Sequence, residues 1–98
     1  MTITKEQEGN VLTIRLEGRL DTATSPDLEK ELKASLENVD ELVFDLEKLS
    51  YISSAGLRVL LSSQKIMNGK GSMKVTHVSE DIMEIFEVTG FTEVLTIE

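Results

Sequence analysis

Two adjacent hydroxyls, Ser53 and Ser54, stand just before the small residues Ala55 and Gly56 in the segment Ile52-Ser53-Ser54-Ala55-Gly56-Leu57. A serine in such a place can be a nucleophile, a phosphate acceptor or a helix cap. Nucleophilic catalysis needs a base, and His77 is the sole histidine of the chain. No nucleophile-elbow pattern precedes a serine, so a Ser-His-Asp arrangement has weak support. His77 alternates with Met73 and Val75, which makes it a core-edge residue rather than a catalyst. Gly69-Lys70-Gly71 is too short for a phosphate-cradling loop, and Glu80-Asp81 falls at a helix start, where acids complement the helix dipole. With no cysteine, one histidine and no spaced ligand cluster, the sequence predicts no metal and no cofactor. The chemistry that survives is a hydroxyl with open approach, which suits binding and modification more than catalysis.

Those hydroxyls need elements to hold them. Leu12, Ile14 and Leu16 alternate with Thr13, Arg15 and Glu17, giving a strand with one buried face over residues 11–18. Glu8-Gly9-Asn10 is a turn signal, so residues 2–7 form a first strand in a hairpin. Thr24-Ser25-Pro26 opens a helix, with serine as cap and proline at the first helical position. Leu28, Leu32 and Leu36 make its apolar stripe, and Glu29 with Lys33 a favourable pair four residues apart. Glu41 to Leu46 is an almost continuous apolar run, as in a central strand.

A second helix runs from about Ala55 to Met67, with Leu57, Leu60 and Leu61 inward and Asn68-Gly69 as its end. Met73–Val78 is a further strand. Ser79 caps a third helix with Ile82, Ile85 and Phe86 inward, stopped at Gly90. Residues 94–97 form a last short strand. The order predicts one α/β domain over residues 1–98: a mixed, mainly parallel five-stranded sheet, with three helices largely on one face.

In open α/β sheets, sites gather beyond the carboxyl ends of parallel strands. Asp21, the Ser53-Ser54 pair and Ser79 each leave a strand for a helix, so all three are expected on one edge. Ser54 is placed where a helix begins. The free N–H groups and positive dipole there would accommodate a phosphate. A plain N-cap role explains the same position. Asp21 likewise suits either a turn or a contact.

Ten basic against eighteen acidic residues give a net charge of −8, which opposes nucleic-acid binding. No apolar run reaches the roughly 20 residues of a membrane span, so no direct membrane insertion is expected. The first residues lack the apolar core of a signal peptide. The expected location is the cytoplasm.

The run Tyr51-Ile-Ser-Ser-Ala-Gly-Leu-Arg-Val-Leu-Leu61 resembles the STAS domain family, and within it the stand-alone bacterial anti-sigma factor antagonists. Leu16-Glu-Gly-Arg-Leu-Asp21, Val43-Phe-Asp-Leu46 and Phe86-Glu-Val-Thr-Gly-Phe91 extend the resemblance over nearly the whole chain. It implies a non-enzymatic regulator that binds an anti-sigma factor with serine kinase activity. Phosphorylation of one serine, matched here by Ser54, would abolish binding, and a PP2C-type phosphatase would reset the protein. It implies a partner-binding patch of Asp21, Ile52, Ser53, Ser54, Ala55 and Gly56. Many members carry Asp where this chain has Ser53, which leaves Ser53 as a second, less favoured acceptor. The same resemblance reaches an alternative, the STAS accessory subunit of a lipid-transport ABC complex or another non-enzymatic signalling module.

Overall fold

The computed structural model describes residues 1–98. Strands β1 (Thr2–Glu8) and β2 (Val11–Leu20) form an antiparallel hairpin, with Glu8 paired to Val11. The two-residue loop between them needs a positive φ, which Gly9 supplies at +60°. Helix α1 (Ser25–Ser35), strand β3 (Glu41–Ile52), helix α2 (Ser54–Asn68), strand β4 (Ser72–Thr76) and helix α3 (Glu80–Val88) follow. The sheet order is β1-β2-β3-β4, with β2, β3 and β4 mutually parallel. Parallel neighbours require crossovers, and α1 and α2 are those crossovers.

The alternation seen in β2 continues across the sheet. Leu12, Leu42 and Met73 form one row, Ile14, Phe44 and Val75 the next, and all six are buried. Leu28 and Leu32 of α1, Leu57 and Leu60 of α2, and Ile82 and Phe86 of α3 are buried in the same cluster. The opposite face carries Arg15, Asp45 and Thr76 in one row and stays accessible. Lys5 ties β1 to α1 through an ion pair with Glu31 at 2.7 Å and a hydrogen bond to Ser35 at 3.1 Å. Helix α2 buries more than one side. Val59 and Ser63 are enclosed, whereas Leu61, expected inward, is only half-buried, because α1 packs against α2 as well.

The sheet has four strands, not five. After Gly90 the chain turns through a short 3-10 helix, Phe91–Glu93. The segment expected as a last strand then makes a single parallel bridge, Val75 to Ile97. Two hydrogen bonds hold it, Val75 N–H to Thr96 O and Glu98 N–H to Val75 O, each 2.9 Å. The turn uses the residues a longer ladder would need.

Strand β3 is twelve residues long, well past Leu46. Arg15 pairs with Asp45 but Glu17 with Lys48, and Gly18 pairs with Leu49 but Arg19 with Tyr51. Each shift inserts one extra residue into β3, a β-bulge. The bulges change the spacing of buried residues from two (Leu42, Phe44, Leu46) to three (Leu49, Ile52). Gly18, at φ +103°, sits at the second bulge, where the Ser50 hydroxyl donates to its carbonyl at 2.9 Å. No helix is long and apolar enough to cross a membrane.

Candidate functional site

The lip at the carboxyl ends of β2 and β3 is built by register. Leu20 pairs with Ile52, and the Ser53 N–H donates to the Leu20 carbonyl at 2.9 Å. Asp21 is thereby set beside the serine pair, as expected from parallel strands. Ser79 is not part of this lip. β4 ends with Thr76 opposite Asp45, seven residues before Ile52 along β3. At about 3.3 Å per residue the third segment leaves the sheet far behind the other two.

Ser53, not Ser54, is the cap of α2. Its backbone is extended (φ −98°, ψ 176°), and its hydroxyl accepts from the Gly56 N–H at 3.5 Å. Ser53 is half-buried; Ser54 is the first helical residue and is exposed, with no hydrogen bond from its hydroxyl within the chain. The Leu57 N–H donates to the Ser53 carbonyl at 2.9 Å, closing the first helical turn. The N–H groups of Ser54 and Ala55 precede that turn and are free for water or an anion. The first turn of α2 contains no acid, whereas α3 begins with Glu80 and Asp81 and α1 has Asp27.

Ile52 and Gly56, expected in an exposed patch, are buried. Ile52 closes the core below the serines because the second bulge turns it inward. A Cβ on Gly56 would lie 2.8 Å from Leu20 Cγ and 2.9 Å from Ile52 Cγ1. Glycine is thus required by packing at this point, not by backbone conformation. Ala55 is half-buried, leaving Ser54 as the accessible centre of the patch.

Asp21 is engaged by its own turn. Its Oδ1 accepts from the Ala23 N–H at 3.0 Å and the Thr24 N–H at 3.1 Å. The Thr24 backbone bond is the main reason its carboxyl is held below the ordinary value of 3.8. The Thr24 hydroxyl, the Ala23 N–H and the Arg19 charge add to that. Thr24 caps α1 without a side-chain bond, and Ser25, expected as the cap, donates its hydroxyl to the Asp21 carbonyl.

Sequence reasoning missed Arg19 and Tyr51. They pair across β2 and β3, with the guanidinium carbon 4.2 Å from the ring centroid and Arg19 Nε 3.6 Å from Asp21 Oδ2. Carrying the β2 register through to Asp21 would have found them, but only with the bulges known.

His77 is not a core-edge residue. It follows β4 in a left-handed conformation (φ +56°), is exposed, and sits 3.0 Å from Asp45 Oδ1 through Nδ1. Asp45, Glu47 and His77 bring potential ligand atoms within 4.8 Å of one another. Both oxygens of Asp45 are already used: Oδ1 also accepts from the Glu47 N–H at 3.1 Å, and Oδ2 faces Arg15 at 3.6 Å. Asp45 is thus tied to the Glu47 backbone, His77 and Arg15 beside the first bulge. A hollow of about 280 Å³ beside it is lined by Arg15, Glu17, Asp45, Glu47 and Lys48 among others, a charged surface remote from apolar ligand chemistry.

The STAS domain model matches residues 2–98. BtrV of Bordetella bronchiseptica, provisionally named an anti-sigma factor antagonist, is 32% identical over 99% of this chain and 85% of its own length. The anti-sigma-B factor antagonist of Bacillus subtilis is 28% identical over 94% of this chain and 85% of its own. The solved anti-sigma factor antagonist SpoIIAA, in its unphosphorylated form, superposes with a TM-score of 0.86 at 18% identity, covering 99% of this chain and 88% of that one. The phosphorylated form of the Bacillus cell fate determinant SpoIIAA superposes at 0.78 and 18% identity, covering 99% and 91%. With a matching model over all but the first residue, a relative above 30% identity and the same fold, the chain belongs to the STAS domain family.

Proposed function

We propose that this protein is an anti-sigma factor antagonist controlled at Ser54. With Ser54 free, it binds an anti-sigma factor that has serine kinase activity and so releases a sigma factor for transcription. The kinase phosphorylates Ser54, the complex separates, and a PP2C-type phosphatase restores the binding form. The protein acts in the cytoplasm as a regulator and not as an enzyme. The observation that carries this reading is the division of labour between two neighbouring hydroxyls. Ser53 is used by the helix as its cap, and Ser54 is exposed and unused. The names of the related antagonists, and the existence of SpoIIAA in phosphorylated and unphosphorylated forms, support it.

The physical logic favours an interface effect over unfolding. A phosphate adds about −1.5 to −2 charges. The free N–H groups at the start of α2 accept an anion without disturbing the helix. In a closed interface the same charge is desolvated without a partner, at a cost of several kcal/mol. Each 1.4 kcal/mol is about tenfold in affinity. In the contact patch Asp21, Ser53, Ser54 and Ala55 supply the surface, while Ile52 and Gly56 shape it from beneath.

The test is calorimetric binding of the host's purified anti-sigma kinase to wild type, Ser54→Asp and Ser53→Ala, with mass-spectrometric mapping of the phosphate after incubation with ATP. The expected result is phosphate on Ser54 only. Ser54→Asp should lose at least about a hundredfold in affinity while its unfolding temperature stays near that of wild type. Undiminished binding by Ser54→Asp, or phosphate on Ser53, overturns the assignment.

A further inference from the structure

We infer that Arg19 and Tyr51 form a second contact of the Ser54 surface, a cation stacked on an exposed ring that receives a carboxylate of the partner beside an apolar side chain. This rests on the reading of Ser54 as the centre of a protein interface. It names residues outside the serine segment and the chemistry they recognise.

Position is the first argument. Arg19 and Tyr51 are the register pair immediately before Leu20 and Ile52, and Leu20 is the residue whose carbonyl holds Ser53. Tyr51 is three residues from Ser54, roughly 10 Å along the chain. The pairing is made by the second bulge. Without the extra residue in β3, Arg19 would face Ser50. The bulge diverts Ser50 to the Gly18 carbonyl and brings the aromatic ring opposite the guanidinium.

Exposure is the second. The exposed large apolar or aromatic residues are Met1, Tyr51, Ile66, Val88 and Val94, and of these only Tyr51 lies within ten residues of Ser54. A half-open aromatic beside a small-residue approach is the composition of an interface centre, where Tyr and Arg are enriched. Arg19 has a side chain 61% exposed, yet it is fixed from two directions, by the ring below and by Asp21 at its Nε edge. A guanidinium has five N–H donors. With the Nε edge turned to Asp21, the terminal donors remain for a planar acceptor, and a carboxylate matches that fork. Holding the cation in place before binding lowers the ordering cost of the contact.

Charge is the third. The chain has eight more acidic than basic residues, so an approaching acidic group is repelled by most of its surface. A partner carboxylate therefore gains register information from Arg19 that no general attraction supplies.

The experiment measures affinity for the same purified anti-sigma kinase with Tyr51→Ala, Tyr51→Phe, Arg19→Ala and Ser54→Asp, each checked for an unchanged unfolding temperature. Tyr51→Ala and Arg19→Ala are expected to weaken binding by at least about tenfold, and Tyr51→Phe, which keeps the ring, by less than about threefold. If both alanine variants bind like wild type while Ser54→Asp does not, this inference is overturned and the Ser54 reading stands. If Ser54→Asp also binds like wild type, the interface is elsewhere and both fall.

Discussion

Helices α2 and α3 begin with the same device and finish it differently. Ser53 and Ser79 are both extended caps, accepting from the N–H three residues on at 3.5 and 3.3 Å. After the cap, α3 continues Glu80-Asp81-Ile82 and α2 continues Ser54-Ala55-Gly56. The acids of α3 answer the positive end of its dipole. In a chain with eighteen acidic residues, α2 has none in its first turn. The third residue after each cap is buried, but one is isoleucine and the other glycine. A serine cap is a local backbone matter and serves anywhere. What separates the two helix starts is the turn that follows: in α3 it is filled, and in α2 it is open above and tightly packed below.

That contrast breaks most visibly at Gly56. In Gly56→Ala the new methyl meets Leu20 Cγ and Ile52 Cγ1 under 3.0 Å, and both side chains are fully enclosed. Overpacking of this kind costs about 1–3 kcal/mol, while alanine's better helix propensity returns at most about 1 kcal/mol. A net loss of stability is expected from urea unfolding midpoints. A variant as stable as wild type would show that the base of the lip yields.

Much of this was legible in the sequence. The alternation in β2, the apolar run of β3 and the stripes of the three helices gave the α/β order, and parallel strands put Asp21 beside the serine pair. The long β3 was not legible, because its two bulges replace a period of two by a period of three beyond Leu46. The two shifts together also hide Tyr51 opposite Arg19, whereas Ile52 was expected in the patch on the strength of the resemblance and lies inside, because two one-residue shifts restore the parity of Leu46. The fifth strand failed at the other end, where a 3-10 turn uses the residues before it. His77 left its strand by adopting a positive φ, which no periodicity reports. The caps divided likewise. Ser79 was legible as a cap, but whether Ser53 or Ser54 caps α2 depends on where β3 ends, a matter of one residue.

The two caps give a smaller test. Ser53→Ala and Ser79→Ala should each cost about 0.5–1 kcal/mol, at the lower end for caps because both bonds are long. Ser54→Ala should be close to neutral for stability. Thermal or urea unfolding of the three variants side by side decides it. If Ser54→Ala costs as much as Ser53→Ala, the hydroxyls share the capping role and the claim that Ser54 is unused fails.

The start of α1 resolves the same need in a third way, and there the expected effect is smallest. Thr24 makes no side-chain cap bond, and the Asp21 carboxylate instead gathers the N–H groups of Ala23 and Thr24. Those bonds, the Thr24 backbone bond first, hold its carboxyl below 3.8 in the folded state. A depressed folded-state pKa stabilises the protein at pH values above the ordinary one. That stability is lost as pH falls through the lower folded value. Asp21→Asn keeps an acceptor oxygen and removes the charge. The gap in urea midpoint between wild type and this variant should therefore be present at neutral pH and close on acidification below 3.8. The group is exposed enough that the gap should also narrow with added salt. A gap that stays constant into acid would mean that the charge of Asp21 does no work within its own turn. The carboxylate would then be free to face a partner, and the start of α1 would resemble that of α2 more closely than that of α3.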